Sequence, residues 1–150
     1  MGRCICRPEI VARYRGRISG PLLDRIDLQL EVPSLGVEEV MADKWEESSE
    51  SIRTRVLTAR AVQQERFREH AGVHCNAHMA TREIRRYCAL SPSCKTLLQT
   101  AVESLGLSAR AFDRILKVAR TAADLDGVEA IAGRHIAEAI HYRSLDRKQA

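Results

Sequence analysis

Residues 91–125 read SPSCKTLLQTAVESLGLSARAFDRILKVARTAADL, and this stretch decides the fold. Ser91 and Pro92 open it as a cap followed by a first-position proline, whose missing N–H costs nothing where no intrahelical partner exists. Behind them Cys94, Leu97, Leu98, Ala101, Val102 and Leu105 fall on one helical face. Gly106 supplies the stop, because a left-handed terminal residue is least strained without a Cβ. Ser108 caps a second helix, on which Phe112, Ile115, Leu116, Ala119 and Ala123 form one apolar stripe. Asp126-Gly127 breaks that helix.

Working outward, a last helix is predicted from about Ala132 to Tyr142, with Ile136, Ala139 and Ile140 inward. Upstream, roughly 81–89 forms a short basic helix containing Arg82, Arg85 and Arg86. Residues 71–79 form a loop around Gly72 and Asn76. A long helix runs from Ser48 or Ser49 to about His70, with Ile52, Val56, Ala59 and Phe67 sparse among charged residues. Residues 48–150 thus read as a bundle of helices able to bury its own core. Residues 34–47 read as a linker, a loop or loose helix around Val37 to Trp45.

Residues 1–33 differ. Pro8 opens a short helix that fades at Gly16, and Gly20-Pro21 restarts one through Leu22, Leu23 and Ile26. Leu28-Gln29-Leu30-Glu31-Val32 then alternates with period two, a strand signal ended by Pro33. One strand alone is unstable in water. Its partners are therefore expected upstream, the chain is expected to be a fragment, and residues 1–33 are expected to be poorly ordered without their sheet. The fold class is mainly α: a helical bundle preceded by a short helix–strand remnant of an α/β core.

Aromatic residues make up only 4% of the chain, so its core must be built from Leu, Ile, Val and Ala. The net charge of +4 permits contact with phosphates without demanding it. No stretch reaches the roughly 18 apolar residues of a membrane span, and the start lacks a secretory signal. Five cysteines without disulfide-like spacing fit a reducing compartment, and a cytoplasmic location is expected.

Two stretches carry a specific likeness. The first is Cys4-Ile5-Cys6-Arg7-Pro8-Glu9, Arg13-Tyr14, and the run Arg17-Ile18-Ser19-Gly20-Pro21-Leu22-Leu23-Asp24-Arg25-Ile26-Asp27-Leu28. The second is Gly106 to Phe112, continuing through Ile115 to Leu125. Together they resemble the C-terminal part of AAA+ ATPases of the magnesium-chelatase-like group, the ComM-type competence proteins. The resemblance implies that residues 1–33 end an AAA+ core and that 48–150 form its helical lid. It also implies a homo-hexameric ring that hydrolyses Mg-ATP between subunits, in a parent protein associated with DNA branch migration during natural transformation.

Arg25 stands between Asp24 and Asp27, behind a rigid Gly-Pro start and a Leu-Leu anchor. Read locally, this is a surface Asp-Arg-Asp ion-pair cluster. The resemblance makes Arg25 the arginine finger that reaches a neighbour's γ-phosphate, where a fixed forked cation meets charge developing on phosphoryl oxygens. Arg110 lies in the first turn after Ser108. Read locally it is an exposed helix arginine, although a cation at a helix N-terminus is mildly unfavourable. The resemblance makes it the sensor-2 arginine, facing nucleotide. Arg17, Arg114 and Arg120 are further candidates for phosphate or interface contacts. Lys117 and Arg120 read as lining a subunit interface or solvent.

Cys4 and Cys6 form half of a possible zinc site, since closed structural sites need four ligands. The resemblance suggests that the remaining ligands, and any zinc, belong to the full-length protein. His70, His74, Cys75 and His78 are ligand types too, but Gly72 and Asn76 break any helix that would align them. Cys88 and Cys94 are expected in or near the core. No Gly-x-x-x-x-Gly-Lys-Ser/Thr loop occurs, and no apolar strand ends in a Walker-B acid pair. The chain alone is therefore expected to hold no Mg-ATP in the family's manner and to hydrolyse none.

Two other functional classes fit parts of the sequence. The basic helix at 81–87 and the Leu107-to-Arg120 helix, entered by the turn Leu105-Gly106-Leu107-Ser108, imitate a helix-turn-helix, which would make the chain a stand-alone nucleic-acid-binding module. A magnesium-chelatase subunit proper is the other, but the Cys4-x-Cys6 pair and the Arg17-to-Asp27 run fit the ComM branch better.

Overall fold

The computed structural model describes residues 5–23, 25–41 and 47–143. Its elements in chain order are α1 (Pro8–Arg15), α2 (Gly20–Leu23), α3 (Val37–Met41), α4 (Ser49–Arg66), a 3-10 turn (Asn76–His78), α5 (Thr81–Tyr87), α6 (Pro92–Leu105), α7 (Ala109–Leu125) and α8 (Gly133–His141). The chain is mainly helical, and no strand forms among the described residues.

Helix limits follow from local chemistry. The hydroxyls of Ser48, Ser91 and Ser108 accept the backbone N–H groups of Ser51, Cys94 and Ala111, capping α4, α6 and α7. Gly106 closes α6 at φ +60°. The Leu107 N–H reaches the Val102 carbonyl at 3.0 Å and the Gly106 N–H reaches that of Glu103 at 3.4 Å. This is the paired-bond Schellman ending. Gly127 repeats it behind α7 at φ +68°, with Val128 donating to Ala123 and Gly127 to Asp124.

Helix α7 is the centre of the bundle. It packs against α8, α4, α5 and the 3-10 turn, while α6 packs on α8. Ile115, Ala119 and Ala123 on its stripe are fully enclosed, together with Leu98 of α6 and Ile136 of α8. Each such large side chain contributes about 1.5–3 kcal/mol of burial. Cys88 and Cys94 lie in this core as expected, and burial pushes the Cys88 thiol up to about 11. A single parallel bridge between Leu90 and Ile131 ties the loop before α6 to the loop before α8.

The period-two segment Leu28–Val32 is not a ladder strand. It has no regular secondary structure, Leu30 and Val32 are exposed, and its Gln29 N–H donates to the Tyr142 carbonyl at the end of α8, at 2.8 Å. A strand needs a row of partners. Among the described residues no other strand forms for it to pair with.

Candidate functional site

The polypeptide around Arg25 is shaped by a short turn. Leu23 is buried as the anchor of α2, and the N–H groups of Arg25 and Ile26 donate back to Leu22 and Leu23 at 3.0 and 2.9 Å. The Arg25 side chain is exposed, and its Nη1 donates to the Pro21 carbonyl at 3.0 Å. It enters no ion pair among the described residues. Asp24 lies outside them, so the Asp24 half of the local ion-pair reading has no structural account. The Asp27 half is clear: that carboxylate pairs with Arg114 of α7 rather than with Arg25.

Further bonds fasten the same segment to the helical body. Arg143 Nη1 donates to the Ile26 carbonyl at 2.9 Å, next to the Asp27–Arg114 pair, and Gln29 bonds Tyr142 as described. Beneath them a groove of about 270 Å³ runs between the segment and the two helices, lined by Leu28, Val118, Ala122, Leu125 and Tyr142 among others.

Arg110 is exposed in the first turn of α7, beside the Ser108 cap, and makes no ion pair or hydrogen bond among the described residues. It lies four residues before Arg114, hence on the same face of α7 and about one turn nearer its start. The Asp27–Arg114 pair thus ties the Arg25 segment to α7, one helical turn from Arg110. Both guanidiniums are exposed and enter no ion pair among the described residues.

Other candidates have different places. Arg120 is buried rather than at an interface or in solvent. Its Nε donates to Asp124 at 3.1 Å, its Nη2 to the Val128 carbonyl at 2.7 Å, and its Nη1 to Glu129. An arginine on the stripe's edge is pulled inward because these acceptors line the turn after α7. Lys117 Nζ donates to the Ala77 carbonyl at 3.0 Å, a contact within the chain. Arg17 lies over the Tyr14 ring, 5.8 Å from its centroid.

The His/Cys residues do not converge. His70 bonds the Tyr87 hydroxyl at 3.3 Å and stacks edge-on with Phe67 and Tyr87, while the His74 and His78 rings stand 6.0 Å apart. Cys6 is exposed and Cys4 lies outside the described residues. Among the described residues no three metal-ligating groups come together, and the zinc reading finds no support. No helix there is long and apolar enough to cross a membrane.

Sequence reasoning missed the polar groups that tie the far end of α7 to α4, the 3-10 turn and the start of α8. Asp124 takes Arg66 and Arg120 on one carboxylate, and Asn76 bridges Arg66, Thr121 and Asp124. Buried His135 accepts the Ala132 N–H at Nδ1 and so presents Nε2–H to Asp126 at 3.0 Å. This bond, then that from Arg134, holds the Asp126 carboxyl below its usual range. The only sequence signal for these partners was a polar residue interrupting an apolar stripe.

The chain matches the family model of the magnesium chelatase subunit ChlI C-terminal region over residues 46–143, and that of the ChlI subunit itself over residues 1–40. It is 44% identical over 142 residues to the competence protein ComM of Haemophilus influenzae, covering 93% of this chain and 27% of that protein. It is 42% identical over 144 residues to the uncharacterised protein YifB of Salmonella typhimurium, covering 95% of this chain and 27% of that protein. The chain thus spans about a quarter of the length of these relatives.

Proposed function

The chain belongs to the family of the magnesium chelatase subunit ChlI C-terminal domain, and from that premise we propose that it is the lid and finger-bearing part of a ring-forming AAA+ ATPase. In this reading subunits assemble as a homo-hexamer, and the complete protein is a ComM-type motor driving branch migration on DNA. Arg25 is the arginine finger and Arg110 the sensor-2 arginine, both serving a nucleotide held at a subunit interface.

One observation carries the reading. Two exposed guanidiniums, without carboxylate partners among the described residues, are carried by one helix: Arg110 directly, Arg25 through the Asp27–Arg114 pair. The residues present fit the phosphate end of Mg-ATP only in part. Arg25 and Arg110 offer forked, permanent cations to phosphoryl oxygens. No phosphate loop or acid pair for magnesium stands in the chain, so those belong to another stretch of polypeptide. Bound Mg-ATP supplies the bond that breaks. Arg25 supplies charge where the γ-phosphoryl oxygens become more negative, and Arg110 orients them.

The test is Arg25→Ala in the complete ATPase. Turnover should fall about 10³–10⁵-fold while ATP binding is retained. Turnover surviving at the wild-type level would remove Arg25 from the role.

The stand-alone helix-turn-helix reading loses its recognition helix. A groove-reading helix must offer a face along the DNA, and α7 is packed by α4, α5, α8 and the 3-10 turn.

A further inference from the structure

We infer that Asp27 and Arg114 form the clasp that sets the angle of the Arg25 finger, which makes Arg114 a positioning residue for hydrolysis. This rests on the finger reading of Arg25 above.

The argument begins with how little else holds the segment. Leu22, Leu28 and Leu30 are 49%, 50% and 63% exposed, so apolar packing fixes it only at Leu23 and, in part, Ile26. Its polar attachments to the helical body include three closely spaced points: Arg143 to the Ile26 carbonyl, Arg114 to the Asp27 carboxylate, and Gln29 to the Tyr142 carbonyl. Of the three, the Asp27–Arg114 pair alone joins two opposite charges. It also alone reaches α7, the helix that bears Arg110.

The pair is partly shielded, with the Arg114 side chain 26% exposed and that of Asp27 43%. The contact is an ion pair of one nitrogen and one oxygen, Arg114 Nη1 with Asp27 Oδ1, and a permanent cation there holds the carboxylate by charge. Arg25 stands two residues from this grip, on a turn whose N–H groups are already bonded to Leu22 and Leu23. Displacing the clasp therefore swings the finger as part of a stiff turn. Misplacement of a reacting group by about 1 Å suffices for a loss of about 10²-fold. Arg114 touches no nucleotide in this scheme. It acts through Asp27 on Arg25.

The pair also removes a competitor. Asp27 lies close enough in sequence to neutralise Arg25 locally, and its engagement with Arg114 leaves the finger's charge unspent. One residue thus both orients the finger and draws Asp27 away from it.

The experiment uses Arg114→Gln, Arg114→Lys and Asp27→Asn in the complete ATPase, with Arg25→Ala alongside. Arg114→Gln and Asp27→Asn should lower kcat about 10–100-fold while the affinity for a fluorescent ATP analogue and the melting temperature stay near wild type. Arg114→Lys should recover part of kcat. In the 150-residue chain, trypsin should cut after Arg25 faster in Arg114→Gln than in wild type, which reads the clasp without any turnover. Undiminished kcat in Arg114→Gln, beside a dead Arg25→Ala, overturns the clasp and leaves the finger standing. Unchanged cleavage at Arg25 overturns it as well. A kcat loss that only tracks lost folding or lost nucleotide affinity makes Arg114 structural and overturns the positioning role. Normal turnover in Arg25→Ala instead overturns the finger reading, whatever trypsin shows.

Discussion

Arg66 meets Asp124 with two nitrogens at once, Nη2 to Oδ1 at 2.5 Å and Nη1 to Oδ2 at 2.7 Å, joining the end of α4 to the end of α7 across 58 residues. Arg120 shares the same carboxylate, and Asn76 closes the ring from the 3-10 turn. Removing the acid strands two guanidiniums, one of them 4% exposed. Asp124→Ala is expected to destabilise the chain by about 3–5 kcal/mol, because an uncompensated buried charge is costly. Urea unfolding monitored by circular dichroism measures it. A loss under 1 kcal/mol would mean that water reaches the network.

The Cys88 thiol gives a prediction in alkali. Its folded value of about 11 exceeds the usual thiol value because burial penalises the thiolate. A raised thiol pKa favours the native state while the unfolded thiol stays protonated. That advantage is complete below about pH 9 and is lost as pH rises through about 11, some 2–3 kcal/mol in all. Wild type should therefore lose its stability margin over Cys88→Val between those limits, measured by denaturant midpoints. A constant margin would place the thiol in contact with water.

Asp126 gives the mirror case in acid. Its carboxyl is held low, first by the His135 hydrogen bond and then by Arg134. A depressed pKa stabilises the fold above the ordinary carboxylate value, and the stabilisation disappears as pH falls through the folded value. Asp126→Asn should melt below wild type at pH 6, and the two should converge as pH falls below the ordinary carboxylate range. Parallel melting curves across that range would contradict the assignment.

Ser108→Ala removes the hydroxyl that accepts the Ala111 N–H at 3.2 Å. About 1 kcal/mol of stability should go with it. In the complete ATPase the fraying first turn of α7 carries Arg110, so the apparent KM for ATP should rise as well. Thermal melts and initial rates separate the two effects.

The helices were legible wherever the signal is local. Caps at Ser91 and Ser108, stops at Gly106 and Gly127, and 3.6-residue stripes bound α6 and α7 within a residue or two of their observed ends. The long helix predicted to His70 stops at Arg66, because Phe67 turns into the core with a φ of −107°. Leu28–Val32 alternates like a strand, but pairing is a property of two segments, and no second strand forms among the described residues.

The exposed character of Arg25 and Arg110 was readable. The partner of Asp27 was not, because Arg114 lies 87 residues away and nothing local distinguishes it from Arg110. Arg120 was misread for a related reason. A charged residue beside an apolar stripe goes wherever its acceptors are, and those at Val128 and Glu129 arise only once α7 has turned.

Seventeen residues of α7 carry, from one tip to the other, the exposed Arg110 proposed to face nucleotide, the ion pair to the upstream segment and the buried cation cluster. A saturation screen scored by a single growth phenotype would paint this rod as one uninterrupted intolerant band. Only a second channel, such as protein abundance beside catalytic rate, would resolve the band into its two colours, folding at the inner rungs and chemistry at the outer ones.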